Sequence, residues 1–357
     1  MRVVVDARHL GAARGIPRYT ARLLCTLVDR HPRDDWVAVV PGGARLADPL
    51  PPEIEVVRTS VPGRALFAAA ALTRRPRLDR IAGGADVVWL PAPAPVAVTA
   101  GVPIVLTVHD RSFEARPRDF TPYERLWQRA ARPRRLAAGA ARVVAVSQTV
   151  RDELLGAGWP LAADRTRVIL SGPGTIPVST TTNGHREVAE PYLLAIGALE
   201  PRKGLDVLLD AFAAADVNAR LVVVGDGRLA PRLAAQPDVI ALGKVDEVRL
   251  DSLLRHALAL VHPAHLEGFA FPPLEAAARG VPSIVADLPI YAETLGDGAL
   301  RVPAGDVGAL AAAMTSFVGD GAARARVGAA AAAAAALLSW DRAADELRAV
   351  LAEAAAA

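Results

Sequence analysis

Residues 262–282 read HPAHLEGFAFPPLEAAARGVP and follow directly on the apolar run Leu258–His262. A short strand therefore leads into a loop holding Glu267-Gly268-Phe269-Ala270-Phe271, Pro272 and Pro273 open a helix, and Gly280 closes it. Proline at the first helical positions and glycine just past the last are the punctuation a helix needs. The next apolar run, Ser283–Ala286, is the following strand. Strand, loop, helix, strand is the repeating unit of a parallel sheet.

The same alternation extends along the chain. Strands are expected at Arg2–Asp6, Trp36–Val40, Ile54–Arg58, Asp86–Leu90, Ile104–Val108 and Arg142–Ser147, then at Tyr192–Ile196, Arg220–Val224, Val239–Leu242, Leu258–His262 and Ser283–Ala286. Helix-like stretches rich in Ala, Leu and Arg separate many of them. Strands that are apolar throughout imply parallel sheets covered on both faces. Between the two sets lies Pro177–Glu190, with Ser179, three threonines, Asn183 and Gly184. This polar, aperiodic stretch reads as a linker. A length of 357 residues suits two domains. The expected division is α/β throughout: a Rossmann-like domain over 1–178, a second over 191–339, and an amphipathic helix over 340–357 carrying Leu347, Val350 and Leu351. Ligands of such folds bind at the carboxyl ends of the strands, so a cleft between the halves is expected.

Composition narrows the partners. Cys25 is the single cysteine, so no internal disulfide forms, and a cytoplasmic protein is expected. The opening Met1–Asp6 reads as a strand and lacks the apolar core of a signal peptide. The alanine run Ala329–Ala336 is too short for a membrane span and reads as a packed helix. Residues 1–180 hold 26 arginines against 16 acidic residues, whereas residues 181–357 hold 15 basic against 22 acidic. The arginines cluster at Arg74, Arg75 and Arg77 and at Arg125, Arg129, Arg132, Arg134 and Arg135. They suit a lipid phosphate or an acidic membrane face at the inner side of the cell membrane; the plain alternative is a solvated Arg-rich surface. Nucleic acid is not an expected partner.

Several chemistries lack their motifs. The chain has no G-x-G-x-x-G, no G-x-x-x-x-G-K-[ST], no G-x-S-x-G, no D-x-D, no H-E-x-x-H and no cysteine cluster. No metal site is expected.

Three segments can carry chemistry. Glu267 in its loop and Glu275, expected in the first turn of the helix, can face one cleft, with the helix N-terminus between them for a phosphate. Gly268 allows close backbone approach. A loop surface charge at Glu267 and a helix-capping carboxylate at Glu275 are the structural alternatives. Gly197-Ala198-Leu199-Glu200-Pro201-Arg202-Lys203-Gly204 places two adjacent cations after a strand, which suits a diphosphate. Lys203 and Lys244 are the only lysines beside 39 arginines, as though a compact ammonium were wanted there. In the first half, Asp6 is followed by a loop with Gly11 and Arg14-Gly15-Ile16-Pro17-Arg18-Tyr19, able to present N–H groups to a phosphate, and His109-Asp110 ends the strand Ile104–Val108.

Together these segments resemble the family 4 retaining glycosyltransferases of GT-B fold. The likeness runs through VDARHL, RGIPRYTARLL, TVHD, VVAVSQTVRDEL, VILSGPG, IGALEPRKGLDVLLDAF, LVVVGDG, LGKVDE and HLEGFAFPPLEAAARGVPSIVAD. The first and last of these look most like the mannosyltransferase branch. The resemblance implies that Arg202 and Lys203 neutralise the donor diphosphate, with Gly197 beside them. Glu267 would sit by the donor sugar, with Gly268, Phe269, Ala270, Phe271 and Leu274 lining the donor site. Glu275 would bind the ribose, and Gly243, Lys244 and Val245 would lie near the base. Gly15 would approach the phosphate from the other domain, His109 would lie at the sugar, and the final helix would cross back onto the N-terminal domain. Two departures stand out: Gly197-Ala198 replaces the usual Gly-Arg, and Ser171-Gly172 replaces Asn-Gly after a strand over Arg167–Leu170.

The implied reaction transfers a hexosyl unit from a nucleotide sugar to a hydroxyl with retention, without metal or other cofactor, the leaving phosphate helping to deprotonate the acceptor. GDP-mannose is the first expected donor; UDP-glucose, UDP-N-acetylglucosamine and dTDP-rhamnose follow. The acceptor, expected against residues 60–80 and 111–135, is a lipid-linked glycan, a glycan or a secondary metabolite. An NDP-sugar 2-epimerase of the same fold and a non-catalytic nucleotide-sugar-binding protein remain the alternatives.

Overall fold

The computed structural model describes residues 1–11, 15–47, 49–176, 178 and 187–357. The expected linker Pro177–Glu190 falls mostly outside the described residues, as does Arg14. The chain divides into two compact units: Met1–Gly172 with Ser339–Ala357, and Pro173–Leu338.

The first unit is built on β1 (Arg2–Asp6), β2 (Asp35–Gly42), β3 (Glu55–Pro62), β4 (Val87–Leu90), β5 (Ile104–Val108), β6 (Arg142–Ala145) and β7 (Thr166–Val168). They form one sheet in the order β3-β2-β1-β4-β5-β6-β7, parallel at every pairing. Val3, Val4 and Val5 are fully buried, as are Val87 and Val88, which is why these runs carry no polar alternation. The strand expected to reach Ser147 stops at Ala145. Ser147 instead caps the helix Gln148–Gly156, its hydroxyl accepting from the Val150 N–H at 3.1 Å. The strand expected over Arg167–Leu170 is Thr166–Val168. Residues 60–80 and 111–135 are largely helical, with helices Gly63–Thr73, Ser112–Ala115 and Pro122–Ala131. A Thr121–Glu124 capping box opens the last of these.

The final helix, Trp340–Ala355, belongs to this first unit. Ser339 caps it by accepting from the Arg342 N–H at 3.3 Å. Its apolar stripe buries Ala343, Leu347, Val350 and Leu351, and it packs along the helix Gly15–Arg30. Ion pairs flank that seam, with Arg30 Nε 2.8 Å from Asp345 and Arg348 Nε 3.0 Å from Asp34. Trp340 lies flat against Gly172, where a Cβ would come within 2.2 Å of the indole. The Ser-Gly in place of Asn-Gly therefore keeps the residue that matters for packing.

The second unit holds β8 (Tyr192–Ile196), β9 (Arg220–Val224), β10 (Val239–Gly243), β11 (Ala259–His262), β12 (Ser283–Ala286) and β13 (Ala299–Val302). Their order is β10-β9-β8-β11-β12-β13, again all parallel. β13 escaped the sequence reading because it is a four-residue edge strand with an exposed Arg301. The alanine run lies in the helix Gly321–Ala336, which buries Ala323, Ala331 and Ala335. By length and composition Gly321–Ala355 is apolar enough to cross a membrane. It is, however, two helices broken at Leu337–Ser339 and shared between the two units.

Leu347 is fully buried in the seam between the first and last helices of its unit. Leu347→Ala is expected to destabilise that unit by about 3 kcal/mol, measured as a lowered urea midpoint.

Candidate active site

Two loops of the second unit converge, one after β8 and one after β11, which are neighbours in the sheet. The first turns through the 3-10 helix Pro201–Lys203 and reaches the helix Leu205–Ala214 by way of Gly204. Gly204 has φ 68°, and a Cβ there would meet the Pro263 carbonyl oxygen at 2.1 Å. Only glycine lets these two loops come this close. The His265 N–H donates to the Arg202 carbonyl at 2.9 Å and stitches them together.

This stitching delivers Lys203 to Glu267. The ammonium of Lys203 donates to Glu267 Oε1, with side-chain exposures of 17% and 9%. His262, the last residue of β11, brings Nε2 to 2.9 Å from the same oxygen. Among the described residues, both hydrogen bonds to Glu267 land on Oε1. Burial pushes the Glu267 carboxyl up, but Lys203, the His262 hydrogen bond and Arg202 outweigh it and hold the group well below the usual carboxylate range. Glu267 is thus an ionised carboxylate already paired with a cation, not a loop surface charge.

The other expected site residues divide. Arg202 Nε is 3.1 Å from Glu200 Oε2, so its guanidinium is held within its own loop. Gly197 follows β8 directly and its N–H donates to the Val224 carbonyl at 3.0 Å. It lines a small cavity of about 30 Å³ together with Lys203 and His262. Ala270 adopts φ 63°, a left-handed conformation rare for alanine, immediately before the helix Phe271–Ala277. Strain of this kind, roughly 1–2 kcal/mol, persists where surrounding structure enforces it, as it often does at binding loops. Phe269 and Phe271 pack ring to ring at 5.3 Å. Leu274 is fully buried, so its side chain belongs to the core.

Glu275 corrects an expectation. It is not in the first turn of its helix, which holds no acidic residue, but five residues in, and it is buried. Its Oε1 accepts from the Thr175 N–H at 3.1 Å and from the Thr175 hydroxyl at 3.0 Å. The carboxylate thus anchors the irregular segment at residues 173–175 rather than capping the helix. Lys244 is exposed, 3.6 Å from Asp226 Oδ2, while Val245 packs against the core beside β9 and β10.

His109 and Gly15 lie in the first unit. His109 Nε2 sits 2.8 Å from the Pro91 carbonyl oxygen, which can only accept, so Nε2 carries the proton. Burial lowers its pKa despite that hydrogen bond. Its ring stands edge-on to Tyr19 at 4.8 Å. Gly15 begins the helix Gly15–Arg30, and a Cβ there would meet nothing within 4 Å. His262 and Thr175 were missed in the sequence. His262 could have been found from its place at a strand's carboxyl end, five residues before Glu267; nothing near Thr175 gave a signal.

Comparison with known proteins bears on the family and the fold. Residues 13–172 match the family model for Glycosyltransferase Family 4, and residues 179–334 match that for Glycosyl transferases group 1. The chain is 31% identical over 173 residues to the O-antigen chain mannosyltransferase RfbU of Salmonella typhimurium, covering 46% of this chain and 47% of that protein. It thus spans less than half the length of that relative. Among solved structures, it superposes on the sucrose-phosphate synthase of Thermosynechococcus elongatus with a TM-score of 0.77 at 18% identity, covering 99% of this chain and 98% of that one. Anabaena HepE in complex with UDP-glucose gives a TM-score of 0.72 at 18% identity, covering 99% and 100%.

Lys203→Met leaves the Glu267 carboxylate without its cation and is expected to destabilise the unit by about 2 kcal/mol at pH 7. The carboxyl is depressed in the folded state, so its contribution is complete above the ordinary carboxylate value and lost as pH falls. The gap between wild type and Lys203→Met in urea unfolding should therefore begin to narrow below about pH 4 and keep narrowing as pH falls further. A gap that does not narrow as pH falls through the acid range would refute the pairing. With its two family matches and its two all-parallel sheets, the chain is a family 4 glycosyltransferase of GT-B fold.

Proposed function

We propose that the protein transfers a hexosyl unit from a nucleoside diphosphate sugar to a hydroxyl acceptor, with retention of configuration and without a metal. The observation that carries this reading is Lys203, held by two stitched loops against the ionised Glu267. Negative charge builds on the diphosphate as the sugar leaves. A cation already positioned there stabilises the transition state without reorganisation. At ~4 Å and an effective dielectric near 20, one cation contributes about 4 kcal/mol before solvation losses. Arg202 and Lys203 together fill the place of a metal. The leaving phosphate takes the acceptor proton, so no separate base is required.

In this reading Glu267 presents Oε2 to the donor sugar, and the backbone of Gly268–Phe271 holds its hydroxyls. Glu275 binds the ribose while anchoring Thr175, and Gly243–Val245 lie by the base. Gly15 and His109 enter as the family resemblance assigns them, to the phosphate and the sugar. GDP-mannose is the first donor, supported by the likeness to a protein named as a mannosyltransferase. A UDP-sugar comes next, supported by the fold shared with a protein solved with UDP-glucose, and a dTDP-sugar after it. The acceptor is a lipid-linked glycan, a glycan or a secondary metabolite. A cytoplasmic enzyme meeting the inner membrane face through its basic half fits the exposed Leu72, Tyr123 and Leu126, which share the helices Gly63–Thr73 and Pro122–Ala131 with arginines.

Thermal shift and calorimetry with GDP, UDP, dTDP, ADP and their sugars, with and without EDTA, test the reading. Stabilisation by one nucleotide, unaffected by EDTA, is expected, whereas stabilisation by none would end it. Lys203→Ala should then slow transfer about 100-fold. Glu267→Ala should abolish transfer with nucleotide affinity nearly intact, and Glu275→Ala should weaken nucleotide affinity. Product formed from donor alone would instead mark an epimerase.

A further inference from the structure

Tyr291 lies in the helix Pro289–Thr294, which follows β12. Its side chain is fully buried, and among the described residues its hydroxyl has no hydrogen-bond partner. The ring stands edge-on to His262 with centroids 6.4 Å apart, and His262 is the residue that holds Glu267. A buried hydroxyl left without a partner is destabilising, and the ring that carries this one stands against the histidine that holds Glu267.

The rest of the site supplies a reason. Lys203 is bound to Glu267. A diphosphate, with its higher charge, draws the ammonium toward itself, and Glu267 is then a buried carboxylate that has lost its cation. His262 alone does not replace a charge. We propose that Tyr291 is a positioning residue: its hydroxyl is a reserve donor that turns to Glu267 when the donor diphosphate takes Lys203, and so keeps the carboxylate ionised and aimed during transfer. Burial, and after it the Glu267 charge, hold the phenol protonated far above its ordinary value, so the hydroxyl is always available to donate. Hydrogen bonds from a hydroxyl to a carboxylate are among the stronger ones available to a protein.

The inference rests on the transferase reading, and two measurements separate their failures. The first needs no substrate. Tyr291→Phe alone should leave the urea midpoint unchanged or raised, because the hydroxyl is unpaired at rest. In a Lys203→Met background, where Glu267 has already lost its cation, the same change should lower the midpoint. An additive cycle, or a Tyr291→Phe variant that is itself clearly destabilised, would overturn the proposal whatever the protein catalyses. Should Lys203→Met not fold, inorganic pyrophosphate replaces it as the means of drawing Lys203 away. Calorimetry should then show weaker pyrophosphate binding by Tyr291→Phe than by wild type, and equal binding would overturn the proposal. The second measurement is turnover with the donor found by the nucleotide panel. Tyr291→Phe should lower kcat roughly tenfold, raise KM for the donor as it weakens pyrophosphate binding, and move the acid limb of the kcat profile to higher pH. An unchanged profile in an active enzyme would reject the role. A wild type that turns over no nucleotide sugar would reject the transferase reading, with the unfolding cycle still deciding the role of Tyr291.

Discussion

A carboxylate withdrawn from water must be given a counter-charge and hydrogen bonds, or it takes up a proton. Glu267 meets that requirement through Lys203 and His262, and much of the second unit is arranged so that it can. The backbone contact between His265 and Arg202 and the close approach at Gly204 hold the loops that carry the two partners. The pairing of β8 with β11 brings those loops side by side. Any change that separates these strands would expose or neutralise the carboxylate, so the chemistry of the site and the integrity of the sheet are one problem.

That arrangement also sets what a ligand encounters. A lysine that spends its charge on a neighbouring carboxylate is poised and not idle, because an incoming diphosphate offers it a stronger partner. Among the described residues, both donors to Glu267 meet the same oxygen. In the transfer proposed above, a cation beside the departing diphosphate and a carboxylate beside the sugar would act together at the cleaving bond. The strained Ala270 lies in the same loop as Glu267, at the point where backbone N–H groups leave it.

The first unit depends on a different constraint. Its last helix comes from the end of the chain, after the whole second unit has been made. It is retained by an apolar stripe, by ion pairs to Asp34 and Arg30, and by Trp340 seated on Gly172. The contact of Trp340 with Gly172 thus closes the two chain segments of this unit on each other.

Local pattern was enough to determine the strands of both sheets to within a few residues, because a strand buried on both faces is apolar throughout and its ends are marked by Gly, Pro and polar residues. It also determined the two segments that carry Lys203 and Glu267, since charges placed at strand ends stand out in a chain with two lysines. Short elements escaped it: β13 has too few residues for a pattern, and the end of β6 was set by a serine hydroxyl that capped a helix instead of extending a strand. Tertiary structure alone decided that Lys203 and Glu267, 64 residues apart, share one oxygen with His262. It also decided that Glu275 holds Thr175, 100 residues away, and that the buried Tyr291 hydroxyl has no partner among the described residues. Spacing along a chain reports the face of an element that a residue occupies. Which residues of other elements meet it there depends on strand order and on how closely two loops can approach, and neither is written in local periodicity.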